Sequence, residues 1–329
     1  MRHLLAVDEV RSLILRGEVL LLAGDEAVLR QLPPGSWIAG TIPYFMTEEG
    51  GVCDRERVFV ERAGAPLRYL GVRRYGPHDI GRVYLDLPEG AIGVMVAPSA
   101  SRVHLAFALD APTYERFACA PLFGWIAGVH LDELGRGQPK VFDGTLAAPL
   151  DDHAVVMHLG LDPGHVAELA ILNLFQPGDG PVLTFPETTF TVTTAEVDGR
   201  RLNLAEYVRE QRLDTRLPLV ADYCGASVNV SFQVVDEPKR ELRFFAPVFA
   251  GVRYRHARPI GDYVRAFESA LPRGPHGSIA LSCNCVLNYL HSSLEGRSTG
   301  GITGPFTFGE IAYQLLNQTM VYLTVAKVR

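Results

Sequence analysis

The sequence predicts a mixed α/β or α+β protein of two subdomains, each with a mixed β-sheet and flanking helices. The chain has 329 residues, which is more than one small core needs and suits two domains. Short amphipathic helical patterns alternate along it with apolar runs, which is typical of sheets covered by helices. The amino-terminal part predicts a helix over 4–15, a strand over 18–23, a helix over 25–32 and a strand over 37–42.

The alternation of strands and helices continues through the first subdomain. The pair Pro98-Ser99 predicts the start of a helix over 101–109, and a second helix is expected over 166–172. Glycines and polar residues predict a loop over 135–144. Apolar or alternating runs predict strands over 57–60, 82–87, 91–97, 122–130, 154–159, 182–185 and 190–197.

A polar turn at Asp198-Gly199-Arg200 predicts the boundary between a first domain, residues 1–198, and a second, residues 199–329. The final run, 319–328, is apolar on both faces and predicts an interior strand. Residues 300–309 contain four glycines and are expected to be irregular. The other elements predicted in the second domain are helices over 204–211 and 262–271 and strands over 228–234, 240–249 and 278–283.

Composition and charge exclude several classes of function. Hydrophobic residues make up 47% and charged residues 21%, as in ordinary globular domains. The net charge of −6 provides no basic surface, so a nucleic-acid partner is not expected. No segment approaches the roughly 18 apolar residues of a membrane span, and no phosphate-binding glycine motif occurs.

The cysteines favour a cytoplasmic location. There are five of them, an odd number scattered along a long chain, which is unlike a secreted disulfide framework. Charged residues also interrupt the apolar pattern near the amino terminus, so no signal peptide is predicted.

Three motifs in the last third of the chain occur in a recognisable order. A strand ending in Ser282-Cys283 is followed by the segment Phe306-Thr307-Phe308-Gly309-Glu310-Ile311 and then by Asn317-Gln318-Thr319 at the start of the final strand. Over roughly 203–327 this order resembles the carboxyl-terminal domain of the FIST family, named for F-box and intracellular signal transduction proteins. The glycine-bearing runs 37–42 and 123–131 are similar to strands of the family's amino-terminal domain.

One departure from the family pattern matters for binding. The family often places Gly-Arg after its Ser-Cys strand, whereas this chain has Asn284-Cys285. A ligand contact made by that arginine is therefore not expected here.

The resemblance implies a small-ligand sensor without a fused kinase or cyclase segment, with a signalling protein as a second kind of partner. Glycines allow a backbone to approach a ligand closely, and a carboxylate at Glu310 would attract a positive group, so an amino acid or a small amine is the expected ligand. Equally open is a structural turn that packs Phe306 and Phe308 into the core. The residues expected to contact ligand are Thr41, Cys283, Asn284, Gly304, Phe308, Gly309, Glu310, Asn317 and Thr319. The sequence identifies no cofactor and no metal.

Two other classes of function remain open. A hydrolase could use Cys283, if a histidine were hydrogen-bonded to it, or Ser298, which lies in a Gly-x-Ser-x-Gly pattern; His291 could approach the neighbouring Cys285 if a turn intervened. That serine pattern requires a strand before it and a helix after it, whereas a helix-like stretch precedes it here. A partner-binding protein without a small ligand would instead present an exposed apolar patch.

Overall fold

The computed structural model describes residues 2–146, 148–223, 226–271 and 278–328. Strand accounts for 42% of the chain and helix for 17%, so the predicted mixed class is confirmed, in its α+β form. The helices among the described residues are α1 (Val7–Leu15), α2 (Glu26–Leu29), α3 (Arg102–Asp110), α4 (Leu204–Glu210), α5 (Tyr263–Ala270) and α6 (Val286–His291). Short 3-10 turns cover Ile80–Arg82, Ala111–Thr113 and Leu131–Glu133.

The strands fall into three stretches of the chain. The first stretch contains β1 (Leu4–Leu5), β2 (Leu20–Gly24), β3 (Trp37–Thr41), β4 (Tyr44–Thr47), β5 (Gly50–Cys53), β6 (Val58–Arg62), β7 (Leu67–Tyr75), β8 (Ile92–Pro98), β9 (Leu122–Ala127), β10 (Val141–Asp143), β11 (Ala154–Leu161) and β12 (His165–Leu172). The second contains β13 (Leu183–Thr184), β14 (Thr189–Val192), β15 (Thr194–Val197), β16 (Arg200–Asn203), β17 (Leu219–Tyr223), β18 (Ala226–Val230), β19 (Phe232–Asp236), β20 (Glu241–Val248) and β21 (Tyr254–His256). The third contains β22 (Ser278–Cys285), β23 (Gly304–Thr307), β24 (Glu310–Ala312), β25 (Gln314–Leu316) and β26 (Met320–Lys327).

Side-chain caps set the start of the better-predicted helices. Ser101 Oγ accepts a hydrogen bond from the His104 N–H at 3.1 Å, so α3 begins where the sequence predicted. Asn203 Oδ1 accepts from the Glu206 N–H at 3.0 Å and starts α4 in the same way.

Two predicted elements are wrong. Residues 166–172, expected to be helical, form β12, because every residue of that strand pairs with β26 and long-range pairing outweighs local preference. Residues 82–87, expected to be a strand, continue the 3-10 turn that ends at Arg82; Val83 and Tyr84 are nevertheless buried in the core. The segments expected to be irregular each contain a short strand, β10 within 135–144 and β23 within 300–309.

Three sheets form the main body. The first has the order β1-β6-β2-β3-β10, the second β25-β24-β9-β8-β11-β7, and the third β12-β26-β22-β23-β4-β5. The pair β2/β3 in the first sheet and the pair β8/β9 in the second are parallel. The largest core cluster combines side chains of all three sheets, among them Ile38, Phe123 and Leu323. As predicted, the final strand β26 is interior, since it pairs with β12 on one side and β22 on the other.

The second stretch of strands has sheets of its own. Strands β13 to β21 form two sheets among themselves, β16-β15-β13-β21-β17-β18 and β14-β20-β19. Most of their buried side chains form one cluster, while Val228 and Ala246 join the core clusters of the main body. The boundary expected at residue 198 lies in the turn between β15 and β16, which pair with each other. Strands β22 to β26 share sheets with strands from the first 172 residues. Strand pairing thus crosses the predicted boundary, and the division into two folding units stays a prediction.

Among the described residues, no helix combines the length and the apolar character needed to cross a bilayer.

Candidate functional site

The carboxyl ends of the parallel strand pairs β2/β3 and β8/β9 meet at Thr41 and Gly128. The Gly128 N–H donates to the Thr41 carbonyl oxygen at 2.7 Å, and the Thr41 hydroxyl donates to the Gly128 carbonyl oxygen at 2.7 Å. The same hydroxyl accepts from the Lys140 N–H at 2.9 Å. Ligands of open α/β sheets commonly bind outside the carboxyl ends of parallel strands, so this junction is a natural place for a site.

A cleft of about 400 Å³ opens at this junction. Its volume lies in the range of small-molecule sites, roughly 300–1,000 Å³. We call it the Thr41 cleft. It is lined by Asp25, Glu26, Ala27, Arg30, Thr41, Ile42, Pro43, Arg55, Gly128, Val129, His130, Glu133, Gly137 and Gln138.

Positively and negatively charged side chains both line the Thr41 cleft, and Arg55 forms ion pairs with two of the carboxylates. Its Nε donates to Asp25 Oδ2 at 2.7 Å, and its Nη2 lies 2.8 Å from Glu133 Oε1. The hydrogen bond that Arg55 donates to Asp25 raises the pKa of Arg55, which therefore remains a cation. A second guanidinium, that of Arg30, donates through Nε to Glu26 at 2.8 Å. A zwitterionic molecule would find partners for both of its charges here.

An aromatic pair supports one wall of the cleft. The His130 ring stacks on Tyr44, with centroids 5.6 Å apart and planes at 26°. The Tyr44 hydroxyl accepts from the Leu131 N–H at 3.1 Å, and burial raises the pKa of Tyr44 to about 12. Tyr44 is therefore a neutral phenol that holds His130 and the turn after it in place.

Phe308 lies behind the other wall. Its ring occupies the space that a Cβ at Gly128 would need, so the backbone of Gly128 rests directly on the ring. The Phe308 N–H also donates to the Ile126 carbonyl oxygen at 3.0 Å. Phe308 was predicted to contact ligand; the structure places it one layer beneath the surface of the cleft.

Glu310 lies in the protein interior and is fully buried. Its Oε2 accepts from the Thr319 N–H at 3.1 Å and from the Thr319 hydroxyl at 2.8 Å, while the Thr307 hydroxyl lies 3.4 Å from Oε1. Burial raises the pKa of Glu310 to about 8, with the hydrogen bonds from Thr319 acting in the opposite direction. At neutral pH the group is mainly the uncharged acid, which fastens β24 to the start of β26.

Further predicted site residues surround Glu310. Asn284 Oδ1 accepts from the Cys285 N–H at 2.8 Å and from Asn288 Nδ2 at 2.9 Å. The Cys283 thiol donates to a backbone carbonyl, that of Gly124, at 3.4 Å. Asn317 is fully buried as well. Cys283, Asn284, Glu310, Asn317 and Thr319 are thus all buried. Thr319 is hydrogen-bonded to Glu310, and the Thr307 hydroxyl lies 3.2 Å from the Asn284 carbonyl oxygen and 3.4 Å from Glu310.

The predicted glycines serve internal packing. A Cβ at Gly304 would lie 2.5 Å from the Ser282 carbonyl oxygen, and one at Gly309 would lie 2.8 Å from Leu315. These glycines bring the chain close to its own neighbours. Thr41 is the member of the predicted set that lines the Thr41 cleft, and Glu310 does not line it.

Neither residue proposed as a nucleophile for hydrolysis has the surroundings that its chemistry requires. Ser298 is exposed in the loop between α6 and β23, without the strand-to-helix turn that its motif requires. Cys283 is buried within β22, and burial raises the pKa of its thiol well above the ordinary value. Among the described residues, no three His, Cys, Asp or Glu side chains are arranged to hold a metal ion.

We expect native Cys283 to react slowly with thiol reagents. Its burial and its raised pKa both deplete the accessible thiolate, which is the reactive species. Cys119 is exposed and provides the internal control. Peptide mapping after brief treatment with iodoacetamide should show Cys119 modified and Cys283 modified only after denaturation. Equal labelling of the two in the native protein would contradict this placement.

Sequence reasoning missed Asp25, Arg55, His130 and Glu133. A usable signal was present, because Asp25 directly follows β2 and residues 128–133 directly follow β9, where parallel strands end. Arg55 has no such signal, because it reaches the cleft from the turn between β5 and β6.

Comparison with known proteins gives a family but no activity. The profile of a family of unknown function (DUF6976) matches residues 5–326. No curated protein matches the chain.

Proposed function

We propose that this chain, which belongs to the family of unknown function DUF6976, is a small-ligand-binding or sensory protein whose ligand occupies the Thr41 cleft. The observation that carries the proposal is the position of the cleft at the carboxyl ends of two parallel strand pairs, with charges of both signs around it. The resemblance of residues 203–327 to FIST sensor domains supports it. The expected cytoplasmic location and a signalling partner belong to the same proposal.

The charges of the cleft favour an amino acid or a small amine as ligand. An ammonium group matches the carboxylates of Asp25, Glu26 and Glu133, and a carboxylate matches Arg55. The volume of about 400 Å³ accommodates a molecule of this size. Glu310, originally expected to receive the ammonium group, has a structural role in this proposal.

Replacing Arg55 with Gln tests the location of the site. Calorimetric titration of the wild type with the twenty common amino acids and with methylamine identifies a ligand. Loss of the charge-assisted hydrogen bond between Arg55 and the carboxylate of an amino acid then predicts an affinity about tenfold lower for R55Q.

Arg57 provides a matched control for Arg55. It belongs to the same turn, its side chain is 44% exposed against 46% for Arg55, and it pairs with Asp54 without lining the cleft. R57Q should bind as the wild type does. An amino acid that binds R55Q as tightly as R57Q occupies another site, and the absence of binding by any of these probes would overturn the proposed function.

A further inference from the structure

The ion pair between Arg55 and Glu133 differs from the one between Arg55 and Asp25. Asp25 is sheltered, with 15% of its side chain exposed, and its Oδ1 also accepts from the Ala27 N–H at 3.1 Å at the start of α2. Glu133 is 40% exposed and ends a single 3-10 turn. Asp25 is therefore a fixed partner of Arg55, whereas the Glu133 carboxylate is a solvent-exposed partner that can exchange.

Exchange of the exposed partner costs little free energy. Exposed ion pairs contribute little to stability, because water screens them and both side chains lose freedom. A carboxylate that entered the cleft would replace Glu133 at Nη2 of Arg55 with no change in the charge around the guanidinium. The planar guanidinium also matches the geometry of a carboxylate, to which it can donate parallel hydrogen bonds.

We propose that Glu133 is a built-in competitor for the ligand, and that the ligand is recognised through a carboxylate that displaces Glu133 from Arg55. This inference rests on the proposed function and narrows it. The ligand class becomes small organic carboxylates, amino acids included, and amines that lack a carboxylate are excluded. Glu133 is then a specificity-determining residue, because a ligand binds only if its carboxylate interacts with Arg55 more strongly than the carboxylate of Glu133 does.

Replacing Glu133 with Gln tests the competition directly. The amide keeps the size and removes the charge that competes, so E133Q should bind amino acids more tightly than the wild type by about two- to fivefold. The measurement is calorimetric titration of both proteins with the twenty common amino acids and with methylamine at one ionic strength. Glu133 is exposed, and equal thermal melting of the two proteins without ligand will show that folding is unaffected.

Glu56 provides the matched control. It directly follows Arg55, it is exposed, and it does not line the cleft. E56Q removes the same unit of charge from the same kind of residue and should leave the affinities unchanged, which separates competition at Arg55 from a general change in surface potential.

The outcomes separate this inference from the proposed function. Tighter binding of amino acids by E133Q alone supports both. Amino acids that bind the wild type and E133Q equally overturn the competition, and so does equal tightening in E56Q; both results leave the proposed function standing. Binding of methylamine but of no amino acid would also overturn the competition and leave the proposed function standing. If none of these probes binds any of the proteins, both proposals fall.

Discussion

Replacing Gly124 with Ala is expected to unfold the protein or to destabilise it by at least about 3 kcal/mol. Gly124 lies in β9, opposite Met95 of β8 and Ile311 of β24. A Cβ at this position would overlap the carbonyl oxygen of Met95 and crowd the rest of that peptide group. The obstacle is backbone inside a sheet, and no side-chain rotation can remove it. Urea unfolding followed by circular dichroism gives the change in stability.

A second glycine controls for the loss of backbone freedom alone. Gly261 has open space around its Cβ position, so G261A should lie within about 0.5 kcal/mol of the wild type. Similar stabilities of G124A and G261A would show that β8 and β9 separate easily. In that case the junction at Thr41 and Gly128, which depends on the same strand pair, would not be rigid enough to form a preorganised site.

The sequence predicted elements where local chemistry determines them. The helix that became α3 has a serine cap, and the one that became α5 has an aspartate cap and an apolar face, so both were predicted close to their observed bounds. Prediction from the sequence failed where pairing with a strand distant in the chain decides the structure. Residues 165–172 alone do not distinguish a helix from a strand, and the pairing with β26, more than 140 residues later, decides it.

The predicted site shows the same division. The motif around Glu310 marked residues that do become buried. Strands β22, β23 and β26 share one sheet, and the hydrogen bonds from Thr319 to Glu310 join β24 to the start of β26. The burial of these residues was not predictable, since it depends on the sheets that cover them. The Thr41 cleft combines four separate segments, near residues 25, 41, 55 and 130, and no single motif describes it.

Glu310 provides the largest effect expected from a change of pH. Its pKa is raised from 4.5 to about 8 in the folded protein, chiefly by burial. Between these values the folded state keeps a proton that the unfolded state has lost. The contribution of this carboxyl to stability is therefore complete below pH 4.5 and is lost as the pH rises toward 8. In this range the free energy of unfolding falls by up to about 1.4 kcal/mol per pH unit, and the total loss of stability is about 5 kcal/mol.

We expect Glu310→Gln to abolish this loss of folding stability at high pH. The amide resembles the protonated acid, since its oxygen can accept from Thr319 while its NH₂ group donates to the Thr307 hydroxyl. Wild type and E310Q should be similarly stable at pH 5, and E310Q should be more stable by several kcal/mol at pH 8.5. Urea unfolding at intervals across this range provides the comparison, and the difference between the two proteins cancels the other titrating groups.

The control is an exposed carboxylate on the surface. Glu49 lies in the turn between β4 and β5, so E49Q removes one negative charge without changing a buried group. Its stability should follow that of the wild type at every pH. If the difference between wild type and E310Q were constant from pH 5 to pH 8.5, Glu310 would titrate in its ordinary range. The interior would then hold a carboxylate anion, and the cluster around Thr307 and Thr319 would have to be reconsidered as a site for a cation.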